Sequence, residues 1–286
     1  MTGTSLYSET ISREEHPIVG VTLPPETERP RPYVSNSAYF SMWSNNMAYI
    51  LGYLIADGSI SKNKHSSYRL HLVTCDKEIM NHILEEIGST YAIQTELPKK
   101  STHSTCYRTS ISCDEMIMDL MSLGVIPGKT KNPILPEIPR EYLPDFIRGF
   151  FDGDGSVTYG HYGNYPDRLI IDMISYSKGF LQKLGNELKD AIGIIPKIYK
   201  HGNNFTLRYG CKESVSLYRY MYNDRFGLGR KKEKFDSFLN KKGTDWLLRS
   251  CNICESLFTV THDKSHRCWD CKKKSKHVEQ DTVHST

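Results

Sequence analysis

The chain has 286 residues, 38% of them hydrophobic and 24% charged, enough for one large domain or two modest ones with an appendage. It contains no run of eighteen apolar residues, so no membrane-spanning helix is expected, and its polar, acidic N-terminus gives no expectation of a secretory leader. A net charge of +4 is too small to indicate a nucleic-acid partner by itself. Between Lys197 and Arg249, however, thirteen Lys/Arg stand against five Asp/Glu. Such a surface can displace counterions from phosphates, or it is a solvated charged face. Without a leader, the eight cysteines are expected in a reducing compartment: a bacterial or phage-infected cytoplasm, or an organelle. Closely spaced cysteines there suggest metal before disulfide.

Residues 1–46 read as an extension, because five prolines fall between Pro17 and Pro32 and the apolar content is too low for a core. From Met47 to Gly58 a short apolar helix is ended by glycine. Strands fit Ser59–Asn63 and Tyr68–Thr74 around a polar turn. A helix to Ile87 follows, with Ile79, Met80, Ile83, Leu84 and Ile87 at helical spacing. A strand pair near Tyr91–Leu97 and Thr105–Ser112 precedes a helix from Asp114 to Leu123. The order then repeats, with a glycine-stopped apolar helix from Leu143 to Gly155 and strands at Ser156–Gly160 and Leu169–Tyr176. Ser177 opens a helix to Ala191, and Gly202-Asn203-Asn204 turns a hairpin between Ile194–Lys200 and Phe205–Gly210. Helices near Glu213–Tyr222 and Lys232–Leu239 close the second unit. Asp57 and Asp154 are 97 positions apart, and this internal repeat of two αββαββ-type halves organises the chain.

Both repeat helices end in Asp-Gly. An aspartate at a helix C-terminus meets the negative end of the helix dipole, so two in equivalent places are a liability that a bound divalent cation removes. Carboxylates, backbone carbonyls and water are the hard oxygen ligands that magnesium takes. Gly52 and Gly149 stand five residues before the two acids and leave room for the helices to pack closely. Paired acids holding metal ions can activate water for phosphodiester hydrolysis, with one site for each strand of a duplex.

Ile50-Leu-Gly-Tyr-Leu-Ile-Ala-Asp57-Gly58 and Ile147-Arg-Gly-Phe-Phe-Asp-Gly-Asp154-Gly155 both resemble the nine-residue LAGLIDADG motif, and the likeness extends over about residues 40–245. The resemblance implies an α+β fold of two pseudo-symmetric αββαββα repeats, 47–142 and 143–249. Their paired motif helices would lie between curved antiparallel sheets that form a DNA-binding saddle. It implies a single-chain homing endonuclease, a monomer with no obligate protein partner, that cuts double-stranded DNA with Mg2+. The motif's eighth residue is the metal-binding acid, here Asp57 and Asp154, with Ala56 and Gly153 beside them in the metal site. The sixth position is Asp152 in the second copy but Ile55 in the first, so the halves contribute unequally. Lys231 resembles the family's catalytic lysine before the last helix of a repeat, and Lys129 is its counterpart in the first half; either is otherwise a phosphate contact or a surface residue. His71 and Asp172 are candidates to organise water. Strands can read base edges in the major groove. The polar strand positions Ser59, Ser61, Asn63, Arg69, His71, Thr158, Tyr159, His161, Tyr162, Lys197, Tyr199 and Arg208 are candidates for that role, or for a solvated sheet face.

Cys251-Asn-Ile-Cys254 and Cys268-Trp-Asp-Cys271 form two CxxC pairs separated by thirteen residues, the spacing of a structural Zn2+ site. Residues 250–276 therefore read as a small zinc-ribbon-like module, with metal in place of a core. His262 and His266 are reserve ligands, Lys272, Lys273 and Lys274 can grip phosphate, and 277–286 reads as a disordered tail. Two competing functions stay open: an RNA-binding maturase that keeps the acids, and a non-catalytic DNA-binding regulator, which would be expected to lose one. An intein is rejected, since no splicing block is present.

Overall fold

The computed structural model describes residues 33, 35–62, 67–98, 104–128, 133–162, 165–222, 224–260 and 266–274. Almost all of the 1–46 extension, Asn63, Lys129, His262 and the 277–286 tail lie outside the described residues, as do the side chains of His161 and Tyr162.

The first motif helix, α1 (Asn45–Ala56), is capped by Ser44, whose hydroxyl accepts the Met47 N–H at 3.1 Å. Every residue from Met47 to Ile55 is buried, so this helix has no solvent face. Its counterpart α4 (Leu143–Asp154) begins with a proline in the first turn, where the missing N–H costs nothing. The two helices pack through a reciprocal glycine contact. A Cβ on Gly52 would collide with the Phe146 carbonyl, and one on Gly149 with the Tyr49 carbonyl. Tyr49 and Phe146, like Gly52 and Gly149, are 97 positions apart, so the packing repeats the sequence offset.

Each motif helix feeds a four-stranded antiparallel sheet of identical order. The first is β1-β2-β4-β3, from β1 (Gly58–Lys62), β2 (Tyr68–Thr74), β3 (Gln94–Glu96) and β4 (Cys106–Ile111). The second is β5-β6-β8-β7, from β5 (Gly155–Tyr162), β6 (Tyr165–Ser175), β7 (Lys197–His201) and β8 (Asn204–Tyr209). Thr74 pairs with Tyr107 in one and Ser175 with Phe205 in the other, which marks equivalent rungs. Outer helices α2 (Lys77–Glu86) and α3 (Asp114–Ser122) cover the first sheet, and α5 (Lys178–Ile192) and α6 (Cys211–Tyr222) the second. Their buried apolar stripes, Ile79, Met80, Ile83 and Leu84 in α2 and Phe180, Leu181, Leu184 and Leu188 in α5, face the core as the periodicity predicts. Gly193, left-handed at φ 75°, ends α5.

The fold is thus α+β, two αββαββα-like units plus a C-terminal four-cysteine module. The halves differ in one element. Among the described residues the second has an additional helix, α7 (Gly229–Lys242), three residues longer at each end than the expected Lys232–Leu239, so Lys231 stands in its first turn and not before it. Two short strands, β9 (Leu248–Ser250) and β10 (Leu257–Thr259), pair antiparallel within the cysteine module. No helix among the described residues is long and apolar enough to cross a membrane.

Candidate functional site

The ends of α1 and α4 carry the two acids. Asp57 caps α1 and is exposed; Asp154 is the last residue of α4 and half-buried. A Cβ on Gly153 would collide with the Ala56 side chain and stand 3.5 Å from Asp57 Oδ2. Small residues at both places therefore bring the Asp57 carboxylate against the end of α4. Two helix C-termini and two carboxylates meet in one region, an excess of negative charge and hard oxygen that fits a divalent cation. Tyr53, one turn before Asp57, donates to Thr74 Oγ1 at 2.9 Å. Burial and then the Asp57 charge push its pKa up, so its hydroxyl stays neutral beside the acid.

The Lys231 side chain is not at the surface. It is 3% exposed, and its ammonium donates to the carbonyls of Phe151 (2.5 Å), Asp152 (2.9 Å) and Gly155 (2.7 Å). These carbonyls stand at the C-terminal end of α4, where helix acceptors run out of partners, although that of Phe151 also accepts the Gly155 N–H. Lys231 thus caps the helix that ends in Asp154. Burial, partly offset by the Asp152 charge, lowers its pKa from 10.5 to about 8.

Asp152 is buried and accepts from Tyr222 (2.6 Å), Tyr49 (3.0 Å) and the Leu228 N–H (3.1 Å). It ties α4 to α1, to α6 and to the start of α7. Burial raises its pKa, against the two phenols, the Leu228 amide and Lys231, which favour the charged form. The same connecting segment reaches the first half. Phe226 stacks on His82 at 3.8 Å, and Arg230 holds Asp76, the N-cap position of α2, with two bonds of 3.0 and 2.9 Å. Asp152 stands at the sixth motif position, but only Tyr49 among its partners lies on a motif helix; Tyr222 and Leu228, like Phe226 and Arg230 nearby, come from elements without a motif and escape a sequence reading.

On the first sheet, Ser59, Ser61, Arg69 and His71 share the face turned away from the helices, as the alternation of burial shows. His71 bridges Ser61 and Ser110, each at 2.8 Å, and burial with Arg69 and Arg108 nearby lowers its pKa. On the second sheet, Thr158, Lys197, Tyr199 and Arg208 share the equivalent face through the register Asp172↔Arg208↔Lys197. Tyr159 points the opposite way, its ring against Phe238 of α7, since neighbours on a strand face opposite sides; it does not belong with Thr158. Asp172 forms two 2.6 Å bonds with Arg208 and is far from being a lone water-organising acid.

The four cysteines converge. Their sulfurs lie within 4.8 Å of one another, with Cys254 and Cys268 at 3.6 Å. Tetrahedral Zn–S bonds of about 2.3 Å put sulfurs about 3.8 Å apart, so the donor set fits that ion. The module packs on the second half, where Trp269 covers Gly193 and donates to the Asp190 carbonyl at 3.0 Å, and it also meets the end of the first repeat, where Arg140 pairs with Asp270 at 2.9 Å. His266, a reserve ligand, is exposed and outside the cluster. Lys273 and Lys274 are exposed, whereas Lys272 is half-buried in a groove of about 450 Å3 between module and repeat.

A family model described as LAGLIDADG-like domain matches residues 44–119 and 141–223, one segment per repeat. Two relatives from Methanocaldococcus jannaschii are uncharacterised proteins. MJ0314 is 28% identical over 158 residues, 50% of this chain and 56% of its own length. MJ0398 is 24% identical over 212 residues, 68% of this chain and 72% of its own. The match thus spans little more than half of MJ0314. Among solved structures, the homing endonuclease I-WcaI bound to its DNA recognition sequence shares the fold at a TM-score of 0.50 and 14% identity, over 75% of this chain and 95% of that one.

Proposed function

The chain belongs to the LAGLIDADG-like domain family, and from that premise we propose that it is a site-specific double-strand DNA endonuclease that uses divalent cations, Mg2+ first among them. The observation that carries this reading is the reciprocal packing of Gly52 and Gly149, which brings Asp57 and Asp154 to adjoining helix ends. Asp57 and Asp154 hold the metal, with the peptide groups of Ala56 and Gly153 at the same helix ends. A cation held there supplies an activated water and neutralises charge on the scissile phosphate. Lys231 keeps the end of α4 in place through three carbonyls and adds positive potential beside Asp154. Lys129 is proposed for the first half. The open faces of the two sheets, with Ser59, Ser61, Arg69, His71, Thr158, Lys197, Tyr199 and Arg208, form the saddle that contacts DNA. Four cysteines with Zn2+ hold the C-terminal module, whose Lys273 and Lys274 add phosphate contacts.

The test is cleavage of a DNA library that includes the uninterrupted locus carrying this reading frame, with and without Mg2+. A discrete double-strand cut lost in Asp57→Asn and Asp154→Asn, with DNA binding retained, is the expected result. Full cutting by either variant removes the assigned role. Tight DNA binding without a cut identifies a regulator, and binding of intron RNA alone identifies a maturase.

A further inference from the structure

A pocket of about 180 Å3 opens beside Asp154. It joins Ile55 and Ala56 of α1 to Asp154 of α4, Ser175 of β6 and Asn204 of β8. The Ser175 hydroxyl already accepts the Ser177 N–H at 3.2 Å. Asn204 is different: its Oδ1 is buried and has no hydrogen-bond partner among the described residues. A buried amide oxygen is costly to leave unmade, and native proteins rarely leave one. Asn204 stands at the first position of β8, fixed by the hairpin pairing His201↔Asn204, so its place follows from the sheet register.

Among the described residues, the matching position of the other half carries no such amide. Thr74↔Tyr107 and Ser175↔Phe205 are equivalent rungs, so one step further out Cys75 and Cys106 stand where Tyr176 and Asn204 stand in the second half. The Cys75 and Cys106 sulfurs lie 3.4 Å apart. Thiols are soft and poor partners for a hard, hydrated cation, whereas an amide oxygen suits one. Magnesium-like ions keep several of their waters when bound by few carboxylates. Those waters are donors, and Asn204, which lines the pocket beside Asp154, carries a buried acceptor that needs one.

We propose that Asn204 is a positioning residue for the divalent cation at Asp154, its Oδ1 accepting a hydrogen bond from a cation-bound water, and that the Asp57 half has no such support. The two cation sites are therefore unequal, the one at Asp154 the tighter. This rests on the reading that Asp154 holds a cation, and the experiment separates the two claims.

The full zinc-loaded chain is titrated with Mn2+ alone, and free Mn2+ is counted by electron paramagnetic resonance. Wild type is expected to bind a first ion that Asp154→Asn loses. Asn204→Leu weakens that ion's binding about 10- to 100-fold, the usual effect of removing an outer partner of a metal site. Asn204→Asp tightens it, as a charged acceptor beside the cation's water should, and Cys106→Ser leaves it unchanged. If Asp154→Asn loses the ion while Asn204→Leu binds it as wild type does, the role of Asn204 is overturned and the cation site stands. If wild type binds no ion that depends on Asp154, both claims fall. Should Asn204→Leu fail to fold by circular dichroism, Asn204→Asp decides: unchanged or weaker binding there overturns the proposal.

Discussion

The two halves share a plan and differ in how they are held. Each has a motif helix with a glycine at the same place, the same strand order and two outer helices. Among the described residues only the second has a helix such as α7, and with it Lys231 on the end of the motif helix and Asp152 bound by two phenols and a backbone amide. At the sixth motif position the first half has buried Ile55 instead. What the halves share is backbone packing, which tolerates no change in side-chain size. What they do not share is a polar network, which one substitution at a time can take apart. The difference separates the part of the motif that makes the fold from the part that tunes one end of it.

The shared part is tested most severely by adding one methyl group. Gly52→Ala and Gly149→Ala each put a Cβ into the facing carbonyl, so both should destabilise by about 3 kcal/mol or more, at the upper end of overpacking effects. Urea unfolding is the measurement, and similar losses from the two positions are expected; a mild effect at one would break the equivalence. The cysteine module packs on the second half through Trp269 and touches the end of the first through the exposed Arg140–Asp270 pair, so its loss should weigh mainly on the second half. Cys268→Ser, or chelation of the metal, should release Trp269 from Gly193 and red-shift its fluorescence while the urea transition of the repeats survives. Asp152→Ala leaves two phenols and an amide without their acceptor, an expected loss of about 2–3 kcal/mol, against about 1 kcal/mol for Ile55→Val at the matching position.

A subtler test uses pH. Lys231 has a pKa of about 8 when folded and the ordinary 10.5 when unfolded. Between those values the unfolded chain binds the extra proton, so this group makes the folded state gain stability as pH rises. Lys231→Met should lose that gain, and urea titrations of both proteins at about pH 7.5 and about pH 9.5 read the difference in slope. The smallest effect belongs to Arg230, whose side chain is 59% exposed; Arg230→Ala should cost about 0.2–1 kcal/mol despite two bonds to Asp76. A double-mutant cycle with Asp76→Ala isolates the pair.

Much of this arrangement is legible in the sequence. The two Asp-Gly helices, their offset of 97, the succession of helices and strands that follows each and the CxxC spacing are all local patterns. Element ends were less so. The expected Tyr91–Leu97 strand contracts to Gln94–Glu96, and β6 starts at Tyr165, because pairing with a neighbour sets strand length. Thr158 and Tyr159, adjacent on β5, face opposite sides of the sheet, as the strand period requires. Lys231 was visible as a lysine, but its burial under α4 depends on how α7 crosses that helix. The partners of Asp152 and the isolation of Asn204 Oδ1 arise only when elements 50 or more residues apart meet.

The bond between Arg230 and Asp76 joins positions 154 residues apart. During synthesis the first half leaves the ribosome long before the segment that stacks on His82 and grips the start of α2. At about 5–20 residues per second that delay is roughly 8–30 s. For that interval the first half is an unfinished surface, with its motif helix lacking the partner that buries it. The protein is therefore assembled out of order in one respect: its earliest half is completed by a segment of the second repeat.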